Sequence, residues 1–158
     1  MSKILGKEGY LLKKKQFNKA VLLEVRKELT VEPYMAFKHH NSKQNRFTVF
    51  TEDDNYLSIP KYYGLKKFGK PDENLESEGK KVKFKFKGKP RPNQQSIINT
   101  TIKHIDDNDG GLICVGCGVG KTFMGLYIAS HYKVKTLIIV HKTFLLNQWK
   151  DRIKEFTN

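Results

Sequence analysis

Residues 110–122, Gly-Gly-Leu-Ile-Cys-Val-Gly-Cys-Gly-Val-Gly-Lys-Thr, constrain this chain more than any other stretch: a short apolar run breaks into glycines and closes on Gly120, Lys121 and Thr122. Glycines let a backbone wrap tightly around a polyphosphate and turn successive N–H groups inward. Lys121 can then reach the β- and γ-phosphates, the Thr122 hydroxyl suits Mg²⁺, and the helix they open presents its positive end to the anion. The residues read as a phosphate-binding loop made of Gly116, Gly118, Val119, Gly120, Lys121 and Thr122. One position departs from the strict pattern, which has glycine where this chain has Val115.

The flanks suit the loop. Residues 112–115 read as a buried parallel strand and residues 123–132 as a helix. A second apolar strand over 135–140 and a second amphipathic helix over 144–156 follow. Strand, loop, helix, strand, helix is the opening of an open α/β sheet that binds its ligand at the carboxyl ends of the strands. Upstream, residues 91–105 predict a helix with Pro92 in its first turn and Ile97, Ile98, Ile102 and Ile105 on one face, stopped by the turn formers of 106–111.

The charge balance points to a polyanion. Thirty Lys and Arg against 16 Asp and Glu give a formal net charge of +14 over 158 residues. An apolar content of 38% with 11% aromatics excludes a disordered chain. Nucleic acid is the commonest partner of so basic a domain, with an anionic membrane surface and simple solubility as the competing explanations. The charge is concentrated early: residues 1–90 carry 21 Lys and Arg against 11 Asp and Glu. The sequence has no run long enough to span a membrane, and its start lacks the apolar core of a signal peptide, so an intracellular protein is expected. Cys114 and Cys117 form a Cys-x-x-Cys without a second ligand pair at metal-binding spacing, and read as two reduced thiols that fit tight backbone.

In the basic half, residues 3–15 predict a small hairpin. Asn18 is a suitable N-cap for a helix through Leu29, with Val21, Leu22, Val25 and Leu29 on one face, ended by residues 30–33. Residues 46–60 hold two β-rich runs around the turn 52–55, the clearest hairpin in the chain. Pro60 starts a short helix over 61–68 that gathers Tyr62, Tyr63, Lys66 and Lys67, a mixture that fits base stacking and phosphate contact as well as an ordinary core face. His39 and His40 are assigned no role. Residues 69–79, polar and rich in turn formers, read as a linker between an N-terminal domain (1–69) and a C-terminal one (80–158). In residues 80–87, Val82, Phe84 and Phe86 alternate with lysines, as in a strand with one apolar and one basic face; a solvated lysine face and a phosphate-binding one both fit.

Three segments together resemble one family. Arg91-Pro-Asn-Gln94, Cys117-Gly-Val-Gly-Lys-Thr122 and the run from Leu137 through His141, Lys142 and Thr143 to Gln148-Trp149 resemble the Gln motif, motif I and motif Ia of superfamily 2 helicases. Within it the chain looks most like the xeroderma pigmentosum type B and phage UvsW group and the related helicases of large nucleocytoplasmic DNA viruses. The resemblance covers residues 88–156 and before that is architectural only. It implies an α/β chain: a small basic α+β domain followed by the first half of a RecA-like parallel-sheet domain. It implies ATP and Mg²⁺ as cofactors, with Gln94 on the adenine edge, Arg91 near the nucleotide, and His141, Lys142 and Thr143 on the loop that meets the nucleic-acid backbone. A monomer acting on nucleic acid, DNA rather than RNA, is the corresponding expectation, in a viral or host compartment. Two departures stand out: His141-Lys142 replaces the family's usual Pro-Thr, and Asn93 replaces a bulky residue beside the Gln.

Hydrolysis in that family needs an acidic box that holds Mg²⁺ and orients water, and an arginine from a second RecA-like domain. Neither occurs in these 158 residues, so this polypeptide by itself is expected to be inactive as a helicase and to correspond to the N-terminal piece of a longer enzyme or to a truncated product. Two other readings fit the residues: a nucleic-acid-binding module with a non-catalytic P-loop, and a P-loop nucleotide-binding protein of another kind.

Overall fold

The computed structural model describes residues 2–32 and 46–158, and divides into two units, Met1–Glu78 and Gly79–Asn158. His39 and His40 lie outside the described residues. The described residues are mixed α/β, with five α-helices and a sheet that contains a parallel pair. No described helix is long and apolar enough to cross a membrane.

The first unit begins with the expected hairpin, β1 (Lys3–Gly6) against β2 (Gly9–Lys13). Gly9 closes the turn at φ +105°, where a Cβ would lie 2.5 Å from the carbonyl oxygen of Ile59. Period-2 alternation puts Tyr10 and Leu12 on one face of β2, where they pair with Ile59 and Leu57 of β6 (Tyr56–Ile59). The clearest predicted hairpin forms between β5 (Thr51–Glu52) and β6. Its turn is held by Asp53, whose Oδ1 accepts from the backbone N–H of Asn55 and Tyr56 at 2.7 Å each, bonds that hold the carboxyl below its ordinary pKa. The earlier run does not join this hairpin: β4 (Phe47–Thr48) pairs instead with β3 (Thr30–Val31).

Helix α1 (Lys19–Glu28) starts where Asn18 Oδ1 accepts from the Ala20 N–H at 2.9 Å. It packs Leu22 and Val25, with Leu29 beyond its end, onto Leu5, Tyr10, Leu12, Leu57 and Ile59, and this apolar cluster is the core of the unit. Helix α2 (Lys61–Phe68) approaches β2 so closely that a Cβ on Gly64 would overlap the Tyr10 ring. Residues 73–74, inside the expected linker, add a short parallel strand, β7 (Glu73–Asn74), beside β1. Two residues carry no periodicity, so nothing local marked them.

In the second unit, α3 (Pro92–Asn108), α4 (Lys121–Tyr132) and α5 (Thr143–Phe156) match the predicted helices closely. Helix α3 runs past the turn formers at 106–108 and ends on Asp109, which takes a left-handed conformation at φ +60°. Ile98, Met124 and Ile128 form the buried centre. At the end of α4 the Tyr132 hydroxyl donates to Asp106 at 2.8 Å; burial and that carboxylate push its pKa up to about 12.

The strands expected at 112–115, 135–140 and 80–87 acquire no ladder. Residues 80–87 make only two isolated bridges, Lys81 to Val134 and Phe86 to Thr157. Residues 112–115 and 135–140 run without sheet partners, leaving Leu112 92%, Leu137 82% and Ile139 84% exposed, while Ile113, Val115, Ile138 and Val140 are half-buried. The alternation of an extended chain is present; among the described residues, the neighbouring strands that would make it a sheet are not.

A phosphate-type loop at the start of helix 4

The glycine loop ends where α4 begins. Gly120 takes a left-handed conformation at φ +99° as the N-cap, and the first helical bond runs from the Met124 N–H to the Gly120 carbonyl at 3.0 Å. The N–H groups of Lys121, Thr122 and Phe123 therefore have no partner within the helix, and no side chain caps them. These free donors and the helix dipole make an anion site. Around it, a Cβ on Gly116 or on Gly118 (φ +79°) would meet nothing within 4 Å, so the loop is open on that side. Lys121 Nζ donates to the carbonyls of Gly116 at 2.9 Å and Val115 at 3.2 Å, which park the ammonium at the loop. The Thr122 hydroxyl makes no hydrogen bond among the described residues and is free to meet a cation. This donor set suits a polyphosphate with Mg²⁺.

The N-terminus of α3 is fastened to the same loop. Gln94, only 4% exposed, accepts the Arg91 N–H on Oε1 at 3.0 Å and donates from Nε2 to the Val119 carbonyl at 2.8 Å. Arg91 Nη2 donates to that carbonyl as well, at 3.2 Å. A Cβ on Gly120 would come within 2.5 Å of Gln94 Nε2, a second reason for glycine there. Arg91, Gln94, Gly116, Gly118, Val119, Gly120, Lys121 and Thr122 thus occur at one place, and Gln94 already spends an acceptor and a donor on the protein itself.

An open pocket of about 770 Å³ lies beside the loop, lined by Gln94, Lys121 and Thr122 and by Gln148, Trp149 and Arg152 of α5. Trp149 also packs on α4 at Gly125, where a Cβ would sit 3.3 Å from its ring. Sequence reasoning missed Arg152, whose only signal was helical spacing from Trp149; it is paired with Glu155 at 2.5 Å. Cys114 and Cys117 are exposed free thiols.

The residues expected to meet nucleic acid occupy other places. His141, Lys142 and Thr143 are exposed at the start of α5, where Lys142 is the N-cap, beside a depression that Leu146 completes. In the first unit, Lys66 is exposed and makes no ion pair among the described residues. Lys67 is engaged: its Nζ lies 2.7 Å from Glu24 and 2.8 Å from Glu28, contacts that raise its pKa, and 5.7 Å from the Tyr63 ring centroid. Tyr63 packs on the core and donates its hydroxyl to Glu28, while Tyr62 is exposed.

Comparison with known proteins places the loop in context. Residues 87–158 match the family described as "Type III restriction enzyme, res subunit". Over 154 residues the chain is 38% identical to "Putative ATP-dependent RNA helicase L396" of Acanthamoeba polyphaga mimivirus, covering 95% of this chain and 30% of that protein. It is 33% identical over 101 residues to "DNA 3'-5' translocase XPB2" of Sulfurisphaera tokodaii, covering 64% of this chain and 22% of that one. With "Putative helicase 109L" of Invertebrate iridescent virus 3 it shares 28% identity over 153 residues, covering 88% of this chain and 45% of that protein. The chain thus spans less than half the length of each of these relatives.

Proposed function

We propose that this chain, whose residues 87–158 match the family described as "Type III restriction enzyme, res subunit", is the N-terminal part of an ATP-dependent superfamily 2 helicase that binds nucleotide at the glycine loop and nucleic acid through basic surfaces. The observation that carries the reading is the junction of α3 and the loop: Gln94 and Arg91 both hold the Val119 carbonyl, one residue before the glycine that opens α4. A P-loop of another class has no need of a buried glutamine there.

In this reading Lys121 releases the Val115 and Gly116 carbonyls and takes β- and γ-phosphate oxygens, while the free N–H groups of the first turn of α4 hold the remaining oxygens. Thr122 is the residue that would hold Mg²⁺, which supplies charge neutralisation on the phosphates. Residues 1–69, to whose sheet the expected linker 70–79 adds β7, serve as an accessory nucleic-acid-binding domain, and 80–158 as the first part of a RecA-like domain. His141, Lys142, Thr143 and Lys66 are the proposed backbone contacts; Lys67 would act there only after leaving Glu24 and Glu28. DNA is favoured over RNA, and the chain is read as a monomer of viral origin, acting within the infected cell.

Titration calorimetry with MgATP on the 158-residue chain and on Lys121→Ala tests the proposal. Lys121 is exposed and bonded only to loop carbonyls, so its removal should leave folding intact and weaken binding at least tenfold, about 1.4 kcal/mol. Equal binding by both chains would refute the assignment of the loop.

A further inference from the structure

Five lysines before α3 stand in one row without a counter-charge. Residues 81–89 alternate without a break: Lys81, Lys83, Lys85, Lys87 and Lys89 are exposed, while Val82, Phe84, Phe86, Gly88 and Pro90 are half-buried. The inward side chains explain why the row holds its shape. Phe86 packs against Phe123, Tyr127 and Phe156 with ring centroids 5.0, 5.3 and 5.8 Å away, and Gly88 lies so near Phe123 that a Cβ would come within 2.5 Å of its ring. The backbone is tied at both ends. The Val82 N–H donates to Lys133 at 2.9 Å, the Lys80 carbonyl accepts from Lys135 at 2.8 Å, and the Lys87 N–H donates to Phe156 at 2.8 Å. Between them the Lys85 N–H donates to the Asn158 side chain at 2.7 Å.

The side chains of Lys81, Lys83, Lys85 and Lys87 make no hydrogen bond or ion pair with any described residue. Some cations of the chain are neutralised, as where Lys14 and Arg26 share Glu52 and Lys67 takes Glu24 and Glu28, and others such as Lys66 are not. What sets the row apart is the regular spacing of its unpaired cations along one segment. Alternate residues of an extended chain lie roughly 6.6 Å apart, close to one nucleotide of stretched backbone, so four lysines cover roughly 20 Å along a single line.

We propose that Lys81, Lys83, Lys85 and Lys87 form a track for the phosphates of a single nucleic-acid strand, one lysine to each successive phosphate. This rests on the nucleic-acid reading above and gives it a surface that the helicase motifs do not include. A ridge with one charge per step, backed by the ring packing of Phe86, matches an extended single strand, whose phosphates can align along it. A duplex presents its phosphates on two curved strands and can meet only part of a straight row.

The test is the salt dependence of binding by the full 158-residue chain to an oligothymidylate of about 20 nucleotides and to a duplex of equal length, read by fluorescence anisotropy. Each phosphate neutralised on a single strand contributes about 0.7 to the slope of log K against log salt. Replacing all four lysines by Gln should therefore lower the single-strand slope by about 2.8 and the duplex slope by less. A Lys7→Gln, Lys70→Gln control, which changes exposed lysines of the other unit that are not among the proposed contacts, should lower it by at most about half that amount. Unchanged binding by the four-lysine variant, a slope loss no larger than the control's, or an equal loss on duplex would overturn the track. If the unaltered chain binds neither nucleic acid, the nucleic-acid reading falls with it. The substitutions lie on exposed side chains, and helical circular dichroism confirms that each variant is folded.

Discussion

Replacing Gln94 by Ala asks whether this residue serves the nucleotide through its base or through the loop. In the structure Gln94 is buried and spends its amide on two protein partners: Oε1 accepts the Arg91 N–H, and Nε2 donates to the Val119 carbonyl. Each such hydrogen bond contributes a net of about 1 kcal/mol. Truncation to Ala therefore loosens the loop by about 2 kcal/mol, less whatever Arg91 recovers through its own bond to Val119. If a ligand must restore the lost order, up to about 2 kcal/mol appears as up to about 30-fold weaker binding. Titrations with MgATP and with Mg-pyrophosphate separate the two roles, because pyrophosphate has no base to read. A residue that acts through the loop weakens both ligands by the same factor. Weaker ATP binding with unchanged pyrophosphate binding would refute this argument and assign Gln94 to the adenine edge. Urea unfolding followed by Trp149, the only tryptophan, measures the cost to the fold in the same variant. Gln94→Glu should be worse than Ala, since it sets a carboxylate oxygen against the Val119 carbonyl.

Two further outcomes follow from the first unit. Hydrogen bonds from Arg26 and Lys14 hold the Glu52 carboxyl at about 2, below its unfolded value of about 4.3, so its stabilisation is complete above pH of about 4.3 and is lost as pH falls towards 2. Urea midpoints measured down that range should drop less steeply in Glu52→Gln than in the unaltered chain, and parallel curves would remove Glu52 as the cause. Gly64→Ala should destabilise the unit by about 1–3 kcal/mol, because the new Cβ overlaps the Tyr10 ring, even though alanine gains about 1 kcal/mol of helix propensity. A stabilised variant would show that α2 does not sit on Tyr10 as described.

What was legible in the sequence is what short-range chemistry decides. Asn18 caps α1, Pro92 opens α3 and Gly120 opens α4, because each acts on backbone within a few residues of itself. The members of the loop site were legible for the same reason, since Gly118 to Thr122 are consecutive. What was hidden is non-local. The two-residue strands β3 and β7 have no pattern to read, and their partners lie far along the chain. The pairing of Lys67 joins α2 to carboxylates 39 and 43 residues earlier, which no reading of residues 61–68 could supply.

The unpaired segments 112–115 and 135–140 carry this distinction to a measurement. Their sequences are apolar on both faces, the pattern of a strand covered from two sides. The described residues cover one side: Ile113 and Val115 pack against the cluster around Ile98 and Met124, while Leu112, Leu137 and Ile139 face outward. None of the backbone N–H groups of 112–115 and 136–140 donates to a described residue, whereas those inside α3 and α4 are bonded along the helices. In dilute solution the amides of both segments should therefore exchange with deuterium at close to the open-chain rate, and those of α3 and α4 should be protected. Raising the protein concentration adds a second expectation, because an unpaired apolar edge accepts a strand from another chain. Protection of 136–140 should then rise with concentration, and Ile139→Lys should abolish the rise by placing a charge on the outward face. Protection of these amides at low concentration, equal to that of α3, would mean that they already have strand partners within the chain, and the extended, one-sided arrangement described above would be wrong.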